Sequence, residues 1–231
     1  MFVITADQRN SRRNADAVAE ALTLLNEERH NDLALAAERT AGDEVQMLLN
    51  SAQAALDIAL KLTRTGQWSV GIGIGAVPTP YGATVRATSG PAFIAARTAI
   101  DRAKKSPAKC SVESDPSSEL ARDIDPLLEL LILMRNRRTD NGWQLYDLLD
   151  TGITQADAAE KLGISPQSAS QRALVAGLRT EEDAVVALAN LLDRAHSDRD
   201  NSDRDNSGTG NGGVDNSDDD ENSRDAEKGA S

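Results

Sequence analysis

The feature that most constrains the fold is a change in the spacing of apolar residues between residues 112 and 119. Up to residue 112, short apolar runs of strand type alternate with segments in which apolar residues recur at helical spacing. Over 119–195 only the helical spacing is found, and the intervening residues 113–118 are polar and contain Pro116, as a linker does. The sequence therefore predicts an α+β domain over 1–112 and an all-α domain over 119–195.

The N-terminal elements follow the order β-α-β-β-α-β-(β)-α-β. Strand patterns are found at 2–6, 33–37, 45–48, 68–77 and 109–112, with an optional strand at 83–87. Gly42 lies between the second and third runs, which predicts a hairpin. Gly71, Gly73 and Gly75 alternate along the fourth strand, where they allow a helix to pack closely. We expect a sheet with helices on one face.

The chain after residue 195 differs in composition. Residues 196–231 contain 11 acidic and 4 basic residues, so they carry −7 of the net charge of −12. They include the repeat SDRDNSDRDNS at 197–207 and few apolar residues, so burial cannot offset the entropy lost on ordering. We predict a disordered acidic tail over 196–231. It either keeps the protein soluble or competes, as a DNA mimic, for a basic surface of the same chain.

Several classes of protein are excluded at this stage. No apolar run approaches the roughly 20 residues of a membrane-spanning helix, and residues 1–7 lack the basic and apolar regions of a signal peptide. A single cysteine, Cys110, cannot form an internal disulfide or a thiolate metal cluster. The two histidines, His30 and His196, leave little scope for a zinc site. We expect a soluble cytoplasmic protein.

The segment TQADAAEKLGISPQSASQRAL at 154–174 carries the start and stop signals of two short helices. Thr154 caps the first helix, and Gly163 supplies the positive φ that ends it. The apolar face of this helix consists of Ala158, Ala159 and Leu162. The sequence therefore predicts a helix that packs through small residues and ends in a tight turn.

The second helix of the pair begins at Ser165, which caps it, and Pro166 occupies its first position, where a missing N–H costs nothing. Ala169, Ala173 and Leu174 are expected to face the core. The exposed face then consists of Gln167, Ser168, Ser170, Gln171 and Arg172. Such hydrogen-bonding side chains with one cation can contact base edges and phosphates in the major groove.

Capping residues, glycine turn and core spacing together resemble the helix-turn-helix of bacterial regulators and of sigma-factor-like domains. The resemblance covers about 20 residues and implies an all-α helix-turn-helix domain that binds double-stranded DNA. The DNA-binding residues that it implies are Thr154, Gln155, Ser165, Gln167, Ser168, Ser170, Gln171 and Arg172. The alternative is a tight αα-hairpin that packs against another part of the protein.

The charge around this motif is not strongly basic. Residues 139–195 contain 9 acidic and 4 basic residues. The compensating bases are expected at Arg135, Arg137, Arg138, Arg172 and Arg179. We therefore expect a monomer to bind DNA weakly and a homodimer on a twofold site to bind more tightly.

Two aspartates are candidate metal ligands in the N-terminal domain. Asp7 follows the first strand, and Asp43 lies in the hairpin turn Thr40-Ala41-Gly42-Asp43-Glu44. Adjacent ends of neighbouring strands can bring these carboxylates together, and paired carboxylates are how proteins hold Mg²⁺ against nucleotide phosphates. The alternative is that both are turn residues without a ligand.

The Gly42-Asp43-Glu44 hairpin, the glycine-rich strand VGIGIG at 70–75 and the helix GPAFIAAR at 90–97 follow the order found in nucleotidyl cyclase and GGDEF domains. The segment ADQRNSR at 6–12 and the same helix also resemble SatD-like bacterial proteins. The resemblance spans about residues 1–112 and implies a cyclase-like, ferredoxin-like sheet with helices. It also implies that Asp7 and Asp43 bind Mg²⁺ with a purine nucleotide.

Four further residues enter through this resemblance. Arg97 matches the arginine that stabilises the transferred phosphate in cyclases, although a surface-paired arginine is the alternative. Phe93 replaces the family's asparagine and cannot donate a hydrogen bond, so the resemblance implies nucleotide binding without cyclisation. Ser11 and Arg12, after Asp7, are expected to contact phosphates. No catalytic residue is assigned.

The sequence as a whole predicts a bacterial DNA-binding transcriptional regulator whose N-terminal domain senses a nucleotide or forms a dimer. Ligand and Mg²⁺ at Asp7 and Asp43 would change the geometry between two helix-turn-helix units. One alternative is a nucleotidyl cyclase or related phosphotransfer enzyme with a DNA-binding appendage. Another is a protein-interaction module that binds neither nucleotide nor a specific DNA sequence.

Overall fold

A computed structural model describes residues 1–11 and 16–207 of the chain. The strands are Phe2–Gln8 (β1), Leu33–Arg39 (β2), Glu44–Leu49 (β3), Trp68–Gly75 (β4) and Cys110–Asp115 (β5). The helices are Val18–Glu28 (α1), Ala52–Arg64 (α2), Pro91–Ala103 (α3), Glu119–Asn136 (α4), Asp140–Asp150 (α5), Gln155–Lys161 (α6), Pro166–Val175 (α7) and Leu178–Ser207 (α8). The predicted α+β class is confirmed.

The five strands form one mixed sheet in the order β2-β3-β1-β4-β5. β1 lies at the centre and pairs antiparallel with β3 on one side and β4 on the other. β5 pairs parallel with β4, as expected for two strands joined by a crossover helix, here α3. The predicted hairpin is β2–β3, and its turn contains Gly42 at a φ of 58°.

Helices cover both faces of the sheet, so the prediction of helices on one face is wrong. On β1, Phe2 and Ile4 pack in the large core with residues of α1 and α2. Val3, which points to the opposite face, packs with Ala92 of α3. A Cβ on Gly73 would lie 2.2 Å from the Ala92 carbonyl oxygen, so the strand glycines let α3 sit directly on the sheet.

The optional strand at 83–87 is also wrong, because Val85–Ala87 forms a 3-10 turn. Thr84 caps this turn by accepting a hydrogen bond from the Ala87 amide. β4 has no free edge for another strand, since β1 and β5 pair with both of its sides. The segment instead contacts the β2–β3 hairpin, where the Arg86 guanidinium donates to the Thr40 carbonyl at 3.0 Å.

The polar connection after the sheet is shorter than the sequence predicts. β5 continues through Asp115, so only 116–118 link it to α4, which Ser118 caps. α4 lies along the outer edge of β5. There the Asp125 carboxylate accepts hydrogen bonds from the Val112 amide at 2.7 Å and the Ser111 hydroxyl at 2.9 Å. This carboxylate satisfies an edge amide that would otherwise be free to pair with another strand.

Helices from beyond this connection share the core of the sheet. Leu128 and Ile132 of α4 and Leu188 and Leu192 of α8 belong to the same apolar cluster as Phe2 and Ile72. The ring of Phe2 also lies 5.5 Å from that of His196. One core therefore extends across the boundary between residues 112 and 119. The division into domains over 1–112 and 119–195 stays a prediction.

The last helix extends further than the sequence analysis expects. α8 runs through Ser207, so 196–207 is helical where a disordered tail is predicted. The rest of the predicted tail, 208–231, lies outside the described residues. Within the described part of the chain, no helix is long and apolar enough to cross a membrane.

Candidate functional site

The predicted helix pair is formed by α6 and α7. Thr154 and Asp157 make a reciprocal capping box, in which each side chain accepts the other's backbone N–H. Gly163 has a φ of 64° in the turn. Ser165 then caps α7 by accepting from the Ser168 amide at 3.1 Å. The predicted capping and turn residues are confirmed.

The packing of α7 corrects one expectation. Ala169 and Ala176 are buried, and Ala173 is half-buried between them, so a stripe of alanines faces the rest of the bundle. Leu174 was expected in the core, but its side chain is 74% exposed. Successive helical residues are about 100° apart, so Leu174 is rotated away from the stripe that Ala173 continues.

Most of the predicted DNA-contacting side chains lie at the surface. The exposed residues are Thr154, Ser165, Gln167, Ser168, Ser170 and Gln171, whereas Gln155 and Arg172 are half-buried. Thr154 and Ser165 are engaged as caps. The Gln155 amide donates to the Ser170 hydroxyl at 2.8 Å, which ties the two helices together. The Ser168 hydroxyl bonds to that of Ser165 at 3.0 Å. Among the residues that the structure describes, the predicted DNA-contacting side chains without such a bond are the two glutamines of α7 and Arg172.

A small cavity of about 200 Å³ adjoins α7. It lies between this helix and the turn that joins α4 to α5. Arg137 and Thr139 line it from the turn, Asn141 lines it from the first turn of α5, and Gln171 and Arg172 line it from α7. Two of the predicted DNA-contacting residues thus also border a concave site that sequence analysis does not predict.

Two arginines expected beside the DNA are buried. Arg135 and Arg138 both form ion pairs with Glu181 of α8, and the side chains of all three are at most 5% exposed. Arg138 also donates from Nε and Nη2 to the Ala176 carbonyl. Glu181 compensates their charges inside the protein, so neither arginine is available to contact DNA. Of the three arginines at 135, 137 and 138, Arg137 is the exposed one.

Three arginines surround an aromatic pair on α5, which consists of Trp143 and Tyr146. The guanidinium carbons of Arg64, Arg135 and Arg138 lie 4.0, 5.1 and 4.3 Å from the ring centroid of Trp143. Arg64 also forms a bidentate ion pair with Asp147 at 2.5 and 2.8 Å. This arginine–aromatic cluster joins α2, α4, α5 and α8, and it rests on contacts between distant segments that local sequence patterns do not reveal.

The charges in this cluster change the basicity of its members. Burial lowers the pKa of Arg138 to about 10, and the nearby charge of Arg135 acts in the same direction. Burial also lowers the pKa of Arg135. The pKa of Arg64 is instead raised, because the Asp147 carboxylate stabilises its charged form. At neutral pH all three remain cations.

The second candidate site is a cavity of about 580 Å³ at one end of β1. Its lining residues are Asp7, Gln8, Arg9, Asn10, Ser11, Asp43, Ser69 and Lys104. Asp7 pairs with Glu44 across β1 and β3, and Asp43 immediately precedes Glu44. The antiparallel pairing therefore brings the two predicted aspartates to one cavity, although their role as metal ligands stays a prediction.

Sequence reasoning missed five lining residues of this cavity, and one of them, Lys104 at the end of α3, carries a charge that contacts a predicted ligand. Its Nζ lies 2.9 Å from Asp7 Oδ2. Among the described residues, no group of three or more histidine, cysteine or carboxylate side chains could hold a metal ion. Two carboxylates still fit the way in which Mg²⁺ is shared between a protein and nucleotide phosphates, where one or two carboxylates suffice.

The remaining residues of the predicted nucleotide site are not all at this cavity. Ser11 lines it, and Arg12 lies outside the described residues. Arg97 does not line it. Its Nη1 donates to Glu44 Oε2 at 2.8 Å, and its side chain is largely exposed. Phe93 packs against the apolar residues between α3 and the sheet.

Cys110 is buried in β5. Burial raises the pKa of its thiol to about 12, with the charge of Asp125 adding to the effect. A thiol with this pKa is protonated at neutral pH and is a poor nucleophile.

Comparisons with protein-family models, with curated proteins and with solved structures find no match to this chain.

Proposed function

We propose that this protein is a bacterial, cytoplasmic DNA-binding transcriptional regulator. The observation that carries the proposal is the α6–α7 pair. It combines two capped helices and a glycine turn with an exposed helix face that presents Gln167 and Gln171. Glutamine can bond two atoms of an adenine edge in the major groove, and α7 is the recognition helix of this proposal.

Charge limits the affinity of a single copy. Because Arg135 and Arg138 are buried with Glu181, the arginines expected beside the DNA that keep an exposed or half-buried side chain are Arg137, Arg172 and Arg179. Phosphate contacts dominate affinity for DNA, so few exposed cations predict weak binding by a monomer. We therefore propose a homodimer on a twofold operator.

The N-terminal part is proposed to sense a purine nucleotide or to form the dimer. The strand order β2-β3-β1-β4, built from β-α-β-β-α-β, supports a ferredoxin-like, cyclase-like arrangement. Asp7 and Asp43 would hold Mg²⁺, and Ser11 would contact a phosphate. Bound Mg²⁺ would neutralise phosphate charge. Lys104 would then exchange its partner Asp7 for a phosphate oxygen.

The shared core gives the proposed sensor a route to the DNA-binding helices. α8 packs against α2 and α4 next to the sheet, and its first turn carries Glu181, which holds Arg138 beside α7. A shift of α8 would therefore move α7 relative to a second copy. Such a shift is the proposed coupling between nucleotide and DNA.

The DNA proposal is tested by selection of genomic fragments on the purified full chain, beside the double variant Gln171→Ala, Arg172→Ala. We expect a sequence motif with twofold symmetry that the variant fails to enrich. If the wild-type protein enriches no motif at low and moderate salt, the proposal is wrong.

The sensor proposal is tested by calorimetric titration with ATP and with GTP in Mg²⁺, on wild type and Asp43→Asn. We expect binding that the variant loses. Nucleotide should also change the affinity for the selected DNA, and an unchanged affinity would contradict the coupling.

An enzyme is the second candidate, because the larger cavity combines two carboxylates with a lysine. Phe93 argues against a cyclase, since it packs among apolar side chains and has no group that could bond a phosphate. Cyclic or linear product formed from ATP or GTP with Mg²⁺ or Mn²⁺, and lost in Asp7→Asn, would favour the enzyme.

A further inference from the structure

The cavity of about 200 Å³ beside α7 has the chemistry of an anion site. The side chains that give it this character are Arg137, Arg138, Thr139, Asn141, Gln171 and Arg172. All of them are hydrogen-bond donors, and no acidic residue lines the cavity. The cavity is thus a local exception in a region that is acidic in sequence.

Two of the three guanidinium groups at this cavity have no counter-charge among the described residues. Arg138 is paired with Glu181, but Arg137 and Arg172 form no ion pair with any residue that the structure describes. Arg138 Nη1 is buried and has no hydrogen-bond partner among the described residues. The uncompensated positive charge at the cavity therefore comes from Arg137 and Arg172.

We infer that this cavity binds one phosphodiester group of the DNA backbone, next to the bases that α7 contacts. This inference rests on the proposed DNA-binding function. It adds a positioning site that residues 154–172 alone do not provide. Guanidinium groups are well suited to the task, because their planar donors match the geometry of phosphate oxygens.

The position of the cavity supports this ligand. Gln171 and Arg172 border it, and Gln171 also lies on the exposed face of α7. An anion held here is therefore within about one helical turn of Gln167, the other glutamine of that face. A phosphate contact at such a distance would fix how α7 enters the groove, which is the role of backbone contacts in DNA recognition.

The test measures the affinity of the full chain for its selected DNA and for an unrelated duplex, at several salt concentrations. Arg137→Gln removes one exposed cation of the cavity. Arg122→Gln is the matched control, because Arg122 is an exposed arginine in the first half of α4, about 20 Å from Arg137, which directly follows the end of that helix. Unfolding midpoints of all variants are measured alongside.

We expect Arg137→Gln to weaken binding several-fold on both duplexes and to reduce the slope of log affinity against log salt by about 1. The control should leave both quantities unchanged. Equal slopes for Arg137→Gln and Arg122→Gln, with intact wild-type binding, would overturn this site and leave the proposed function standing. Loss on the selected duplex alone would also overturn it, since it would indicate a base contact.

A second variant separates binding from folding. Asn141→Asp introduces a carboxylate at the cavity in the first turn of α5, where an acidic side chain favours the helix. We expect this variant to be folded and to bind both duplexes several-fold more weakly. A folded variant with wild-type affinity would contradict the phosphate site. If the wild-type protein binds no DNA, the proposed function fails and this site fails with it.

Discussion

Cys110 shows how burial determines the reactivity of a single side chain. The thiol lies in β5, the parallel neighbour of β4, within the main core. Its environment favours the neutral form, because an apolar interior does not solvate a thiolate. The sequence alone predicts a cysteine without a chemical role, because a lone cysteine in a strand pattern has neither a metal partner nor a disulfide partner.

We predict that Cys110 is almost unreactive in the folded protein. Its pKa is raised to about 12, so the thiol stays protonated between pH 7 and 9, where a free cysteine ionises. Labelling with a maleimide at pH 8 should be slow for the native chain and fast after unfolding in urea. Equal rates in the two states would contradict the buried position.

The helix caps show, at the scale of the element, which features a sequence can predict. Thr154, Gly163 and Ser165 were all predicted correctly, because a cap or a glycine turn depends on residues within a few positions along the chain. The strand at 83–87 was not, because its apolar pattern is local, whereas the structure of this segment depends on the Thr84 cap and on contacts with the distant β2–β3 hairpin. Local patterns therefore predicted the α6–α7 pair better than they predicted which segments pack around the sheet.

We predict that Thr154→Ala lowers the free energy of unfolding by about 1 kcal/mol, the usual cost of a lost N-cap. The capping box with Asp157 is also lost, so α6 should show faster amide hydrogen exchange. Thr180→Ala is the control, since Thr180 is an exposed threonine outside any cap. Similar losses in both variants would show that the cap contributes nothing specific.

The arginine–aromatic cluster connects helices α2, α4, α5 and α8 across the whole molecule. Glu181 of α8 pairs with Arg135 and Arg138, and Arg64 of α2 stacks on Trp143. None of these partners is close in sequence. From the sequence alone the arginines were therefore interpreted as a basic patch, whereas in the fold they surround the Trp143 ring and the Glu181 carboxylate. The Lys104–Asp7 pair was missed for the same reason.

We predict that Glu181→Gln destabilises the protein strongly, by about 3–5 kcal/mol, because it leaves two buried guanidinium groups without a counter-charge. Chemical denaturation measures the effect. Glu182→Gln removes the same charge from an exposed neighbour and should change stability by at most about 0.5 kcal/mol. Equal effects of the two variants would contradict the buried network.

The central claim is that α7 contacts DNA bases through its exposed face. The most direct test compares the wild type, Gln171→Ala and Gln144→Ala for affinity to the selected duplex and to a scrambled duplex. Gln144, an exposed glutamine on α5, is the matched control. We predict that Gln171→Ala alone loses about 1–3 kcal/mol of discrimination between the two duplexes. Discrimination that is unchanged in Gln171→Ala, or reduced equally in Gln144→Ala, would contradict the assignment of α7 as the recognition helix.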